Sequence, residues 1–236
     1  MLMPKNQNLI IERWDYRLTF AKEGRARYIS HLDLMRTMQR AIKRAGIPIW
    51  YTQGFNPHAY LMFPLALSLG TDSRIEILDI ALTEDLPFDE VVEKLNSSMP
   101  EGLYFVSAAR PVMKHTDIAF AEYIIEADFD IPVEEAYEKF KQFIHQDVIE
   151  VEKRTKPKKG RKAGVKLIDI KPHIDLINIS ADKEKLIVEL RLPAGGEFNL
   201  NTSVVIDAFC SFAATNIVTQ YTKRTKILTA SGENFL

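Results

Sequence analysis

Two short stretches, Ser30-His31-Leu32-Asp33 and Gln53-Gly54-Phe55-Asn56-Pro57-His58, hold the side chains best suited to bind or react. A histidine in the first turn of a helix can donate to a phosphate, or exchange a proton as general acid or base near neutral pH. The free amides at such a helix start favour anions. Asp33 follows Ser30 by three residues, the spacing of a short-armed capping box. In the second stretch Gly54 permits a positive φ, and Pro57 holds Asn56 extended. That turn fixes two amide side chains, an aromatic ring and an imidazole. Phe55 has the chemistry to stack on a base of single-stranded RNA, or to plug a gap between helix and sheet. His31, Asp33 and His58 add up to three metal ligands, the number a catalytic zinc site uses. They come from separate segments without a ligand spacing, so no metal is expected. His115, His145 and His173 are scattered and read as surface or edge residues.

Charge is distributed unevenly around these stretches. The 236 residues carry a net charge of -1, which argues against a wholly basic nucleic-acid binder. Yet residues 17–44 hold eight Lys or Arg against Glu23 and Asp33, and residues 151–166 hold eight against Glu152. Two basic patches on an acidic remainder point to local recognition of something anionic. Arg36, Arg40, Lys43 and Arg44 fall on one side of the helix that His31 opens, and Met35, Met38, Ile42 and Ala45 on the other. The loop bearing Lys153, Arg154, Lys156, Lys158, Lys159, Arg161 and Lys162 is suited to clamp a phosphate backbone or an acidic protein surface.

The elements that must position these groups follow from hydrophobic period. Alternation predicts a strand over 15–22, and the split of apolar and basic positions predicts a helix from Ser30 to Gly46. A strand over 60–69, broken by Pro64, a turn at 68–73, a strand over 75–82, a helix from Pro87 to Met99 and a strand over 103–108 complete the first half. The second half reads as a strand over 121–129, a helix from Pro132, a hairpin carrying the basic loop, strands over 174–179 and 186–192, a helix capped by Thr202 or Ser203 that buries Val205, Ile206, Phe209 and Phe212, and a final strand over 217–228. Each half has the order βαββαβ. The expected fold is therefore α+β, two tandem ferredoxin-like units, residues 1–112 and 113–236, the second with an inserted basic β-hairpin. Residues 231–236 are expected to fray.

Other chemistry is sparsely represented. There is no Walker loop, no Gly-x-Ser-x-Gly elbow and no Gly-x-Gly-x-x-Gly motif in the sequence. Cys210 is the single cysteine, so these residues alone supply neither a disulfide nor a cysteine-ligated zinc or iron–sulfur site. It falls on the apolar side of a predicted helix, where a thiol is more often buried than reactive. The first eight residues lack a signal peptide's apolar core, and no run approaches the roughly 20 apolar residues that span a membrane. A cytoplasmic location and no membrane partner are expected.

Arg27-Tyr28-Ile29-Ser30-His31-Leu32-Asp33-Leu34-Met35-Arg36, then Gln53-Gly54-Phe55-Asn56-Pro57-His58, then Leu69-Gly70-Thr71-Asp72-Ser73 with Glu76, resemble the radical-SAM-linked protein family. This is a bacterial domain of unknown function, fused to a radical SAM protein or encoded beside one. The match covers roughly residues 14–190. The resemblance implies a radical SAM partner, with the iron–sulfur cluster and S-adenosylmethionine on that partner and no cofactor in this chain. Frequent neighbourhood with genes for ribonuclease G and ribosomal proteins implies RNA or ribosome modification. The family usually follows Asn-Pro-His with a proline and a basic residue; here Ala59 and Tyr60 stand instead, which weakens a phosphate role at that point. The element order is also similar to that of CRISPR repeat-processing endoribonucleases, by fold analogy alone.

The expectation is a non-catalytic RNA-binding accessory protein that presents transfer or ribosomal RNA to a radical SAM enzyme. Arg36, Arg40 and Arg44 would hold phosphates, while His31, Gln53, Phe55, Asn56 and His58 would read the substrate. The two imidazoles and the guanidinium row are expected on one concave surface. Two alternatives stand beside it. One is a metal-independent endoribonuclease with His31 as its catalytic residue, and the other a protein–protein adaptor for the radical SAM partner.

Overall fold

The computed structural model describes residues 12–154, 164–196 and 198–236, and among these regular structure begins with strand β1 (Trp14–Lys22). Helix α1 (His31–Arg44) follows, then β2 (Leu61–Met62), β3 (Thr71–Leu82), α2 (Phe88–Asn96) and β4 (Leu103–Ala109). The second half runs β5 (Ile118–Phe129), α3 (Val133–Ile144), β6 (Glu150–Arg154), β7 (Val165–Asp169), β8 (Asp175–Asp182), β9 (Lys185–Pro193), α4 (Thr202–Ala213) and β10 (Ile217–Thr229). The fold is mixed α+β, with four α-helices and a central sheet among the described residues. Among the described residues no helix is long and apolar enough to cross a membrane.

One sheet runs β4-β1-β3-β10-β5-β9-β8, with β2 added beside β3. Its pairings are antiparallel except at the centre, where Thr222–Arg224 of β10 lie parallel to Thr71–Ser73 of β3. That three-residue contact is the seam between the halves. The order within the first half is β4-β1-β3-β2 and within the second β10-β5-β9-β8. Hairpin β6–β7 forms a separate two-stranded sheet. Each half has its own apolar core. Leu34, Met38 and Ile42 of α1 pack with Leu18, Phe20 and Leu78 of the sheet, and Phe140, Phe143 and Phe209 anchor the second.

Several local expectations are corrected. The apolar run 60–69 forms only the two-residue β2, because Pro64 removes a ladder donor and β10 takes the neighbouring stretch of β3's edge. Residues 71–73, expected as a turn, already belong to β3. On α1 the innermost residues are Leu34, Met38, Ala41 and Ile42, with Met35 only half-buried. Asn201 caps α4, accepting from the Ser203 amide at 3.2 Å, in place of Thr202 or Ser203. Phe212, expected inside, is 42% exposed. Residues 231–236 are tied down. The Phe235 amide donates to the Ile227 carbonyl at 2.9 Å, and the Phe235 ring is buried under the Arg17 guanidinium, 4.3 Å from its centroid.

Candidate functional site

The Gln53–His58 turn is the tip of a narrow hairpin that stands away from the body. Thr52 N–H donates to the His58 carbonyl at 2.8 Å and Tyr60 N–H to the Trp50 carbonyl at 3.0 Å, zipping its two arms. Gly54 sits at φ +152 with open space around it, where an L side chain would be strained. Every residue from Gln53 to His58 is exposed, and Phe55 at the tip is 106% exposed. A phenyl ring held fully in water gains nothing from the fold, so it is not the gap-filler between helix and sheet.

His58 is fixed inside this tip. Its Nδ1 lies 3.1 Å from the Asn56 carbonyl and 3.0 Å from Thr52 Oγ1, and its own amide donates to Thr52 Oγ1 at 3.2 Å. A carbonyl only accepts, so the neutral ring keeps its proton on Nδ1 and leaves Nε2 as a free acceptor. His58 then lines a groove of about 660 Å³ together with Tyr51, Gln39, Arg40 and Lys43, whose floor includes Ile42 and Ile47. The hairpin and the C-terminal half of α1 thus face each other across a trough that presents two cations, an imidazole and an exposed tyrosine ring.

The other arginines of α1 are committed differently. Arg44 donates to the Ser98 carbonyl at 2.6 Å, holding α1 to the end of α2. Arg36 lies 3.3 Å from Asp33 in the first turn. Asp33 also accepts from the Ser30 hydroxyl at 2.7 Å, and these contacts hold its carboxyl below the ordinary carboxylate range, the Ser30 bond foremost. Ser30 Oγ accepts from the Asp33 amide at 3.1 Å and caps the helix, a contact of about 1 kcal/mol. His31 packs edge-on against Phe63, 5.1 Å between centroids. It is not among the groove's lining residues. Roughly 12 to 18 Å of helix rise separates it from Gln39–Lys43. The structure therefore joins His58 and Arg40, leaves His31 at the start of α1, and leaves Arg36, about one turn before Arg40, outside the groove's lining. Among the described residues no three His, Cys, Asp or Glu side chains are grouped to hold a metal. Gln53, Phe55 and Asn56 are exposed at the hairpin tip and are not among the trough's lining residues.

Of the basic loop, Lys153 and the backbone of Arg154 belong to β6, while Lys156, Lys158, Lys159, Arg161 and Lys162 lie outside the described residues. Lys153 places its ammonium 5.4 Å from the Phe198 ring.

A second polar centre, missed from the sequence, sits at the seam. Arg224 is fully enclosed and donates through Nε to Glu76 at 2.9 Å and through Nη2 to the other carboxylate oxygen. Burial opposes its charge, but the Glu76 carboxylate and Tyr123 together outweigh it and raise the guanidinium's pKa. Lys22, also buried, donates to the Arg27 and Ile29 carbonyls at 3.2 and 3.1 Å, and burial lowers its pKa against the pull of Glu76 and Asp72. Burial, then a hydrogen bond with Asp72, pushes the Tyr221 phenol up to about 12. The readable signal is charge inside largely apolar strands at Arg17, Glu76 and Asp79; Arg224 stands in the polar stretch Thr219–Lys226 and carries no such signal. Arg17 and Asp79 prove to be cross-strand partners, joined by two bonds of 2.7 and 2.8 Å.

Comparisons with known proteins bear on the fold and family. A family model described as an uncharacterized protein conserved in bacteria, DUF2344, matches residues 15–202. No curated protein matches the chain. Twenty-two solved chains do. One is in the crystal structure of a Cbf5-Nop10-Gar1 complex, with a TM-score of 0.46 and 9% identity over 90% of this chain. This chain spans 48% of that one, and the likeness is too loose to carry an argument.

Proposed function

We propose that this chain, which belongs to the bacterial family of uncharacterized proteins DUF2344, is a non-catalytic RNA-binding accessory protein. The observation that carries the reading is the trough between α1 and the Phe55 hairpin. Arg40 and Lys43 supply phosphate-facing cations, and Tyr51 supplies a ring of the kind that stacks on bases. Phe55 stands free at the hairpin tip, and the Nε2 of His58 offers an acceptor to a base edge or a ribose hydroxyl. Single-stranded RNA is the favoured ligand, since unstacked bases are open to both rings.

The repeated strand order in the two halves supports reading each as a ferredoxin-like unit, with β6–β7 as the insertion. The resemblance to radical-SAM-linked proteins supports a radical SAM enzyme as the partner that acts on the RNA. The single cysteine agrees with the cluster residing on that partner.

The test is equilibrium binding of a fluorescent single-stranded RNA to the wild type and to the double variant Arg40→Glu/Lys43→Glu. The expected result is at least a tenfold loss of affinity in the variant. Equal binding by both, or no binding by the wild type, overturns the reading.

A further inference from the structure

A second groove, of about 600 Å³, lies in the other half of the molecule, between the end of α3, strand β6 and one side of α4. Helix α4 is apolar on two sides. Val205, Ile206, Phe209 and Ala213 are buried in the second core. Val204, Ala208 and Phe212 form another stripe at i, i+4 and i+8, and all three line the groove. A helix with apolar residues all round belongs inside a protein, covered on every side. Phe143 backs this second stripe, its ring centroid 5.8 Å from that of Phe212. Phe212 nevertheless stays 42% exposed, and Val148 in the same lining 52%. Rows of side chains at i, i+4 and i+8 are the ridges by which one helix packs against another.

Three carboxylates line the groove with this ridge: Glu150 and Glu152 from β6 and Asp207 from α4. All three are exposed, and among the described residues none of them makes an ion pair. Neighbouring cations are engaged elsewhere. Lys139 pairs with Glu135 at 2.8 Å and donates to the Ala213 carbonyl at 3.0 Å. Lys141 pairs with Glu138 at 3.4 Å and lies 5.1 Å from the Tyr137 ring. Lys153, next along β6, sets its ammonium 5.4 Å from the Phe198 ring. Unpaired carboxylates around an apolar ridge repel a phosphate backbone or an anionic lipid surface and attract Lys or Arg. Ridge and carboxylates together are complementary to a helix with one apolar face and basic flanks.

We propose that the α4 groove docks a basic amphipathic helix of a protein partner, with its apolar face on Val204, Ala208 and Phe212 and its Lys or Arg side chains on Glu150, Glu152 and Asp207. From Val204 to Phe212 the ridge spans about 12 Å, or about two turns of helix. The groove shares no residue with the Arg40–His58 trough, so this proposal and the RNA-binding reading fail separately.

The probe is a fluorescent peptide of about 18 residues, long enough to hold a helix, with Leu along one helical face and Lys elsewhere. A second peptide has Glu in place of every Lys. Binding to the full chain is read by fluorescence anisotropy at physiological salt. The expected result is that the Lys peptide binds and the Glu peptide does not. Phe212→Ser and Glu150→Lys/Glu152→Lys are each expected to weaken binding by about tenfold or more. The charge reversal keeps every apolar contact, so it reads the groove even where Phe212→Ser disturbs the fold. Glu84→Lys/Glu93→Lys makes the same change of net charge at exposed positions of the first half, and its affinity is expected to stay within about twofold of wild type. No binding of the Lys peptide, equal binding of the two peptides, or equal weakening by the two charge reversals overturns the proposal. Two further results overturn it by assigning another occupant. Self-association of the wild type that Phe212→Ser abolishes assigns a second copy of this chain. A rise in peptide affinity of about tenfold in Lys156→Ser/Lys158→Ser/Lys159→Ser/Arg161→Ser/Lys162→Ser assigns the chain's own basic loop.

Discussion

Arg224 on β10 and Glu76 on β3 form a two-bond ion pair sealed at the seam, beside the three residues through which the halves share one sheet. Glu76 lies in the first half and Arg224 near the end of the chain, so the pair closes the fold over 148 positions. Removing one partner leaves a bare charge where no water reaches. Arg224→Met is expected to cost about 3–5 kcal/mol in urea unfolding. Adding Glu76→Leu is expected to recover most of that loss, since the stranded carboxylate is gone. A single variant within about 1 kcal/mol of wild type would show that the pair is dispensable.

The end of the chain offers a parallel test. Phe235 is 3% exposed and packs with Leu65, Ile118 and Ile227 under Arg17. Phe235→Ala is expected to destabilise by about 3–5 kcal/mol, as for other buried phenyl groups. A fraying tail would give a change inside about 0.5 kcal/mol.

Much of this architecture is visible in hydrophobic period, and its failures are instructive. The strand at 15–22 and the helix from Ser30 stand where alternation and capping put them, because the period of apolar residues and the Ser30 cap are written within each element. Phe235 reads as part of a loose tail because its partners, Leu65 and Ile118, lie far away along the chain. Strand 60–69 failed because pairing partners decide strand length: β10 takes part of the edge that an isolated first unit would give to β2. The site divides the same way. Gly54 and Pro57 announce a rigid tip, but nothing local says that Arg44 will be spent on the Ser98 carbonyl while Arg40 and Lys43 line the trough with His58.

Acid should act through Asp130. Its carboxylate accepts from the Thr215 hydroxyl, the Asn216 amide at 2.8 Å and the Asn216 side chain at 2.7 Å, and these bonds bring its pKa from 3.8 down to about 2. The folded value lies below the unfolded one, so this contribution is present above about pH 4 and disappears as pH falls toward about 2. Asp130→Asn removes the titration. Its stability is expected to fall less than wild type across that window in pH-dependent denaturant melts. Parallel losses in both proteins would remove Asp130 as a cause.

Phe55 separates binding from folding. Because the ring touches solvent on every side, Phe55→Ala should leave stability within about 0.5 kcal/mol. Affinity for single-stranded RNA should fall by about 1–3 kcal/mol, the range for a lost base–aromatic stack. An unchanged affinity would remove the hairpin tip from the interface.

The salt dependence of RNA binding tests the trough most directly. Each phosphate neutralised on a single strand contributes about −0.7 to the slope of log affinity against log salt. If Arg40 and Lys43 each hold one phosphate, Arg40→Ala/Lys43→Ala flattens the wild-type slope by about 1.4. A wild-type protein that binds RNA with the same slope as the double variant would contradict the account.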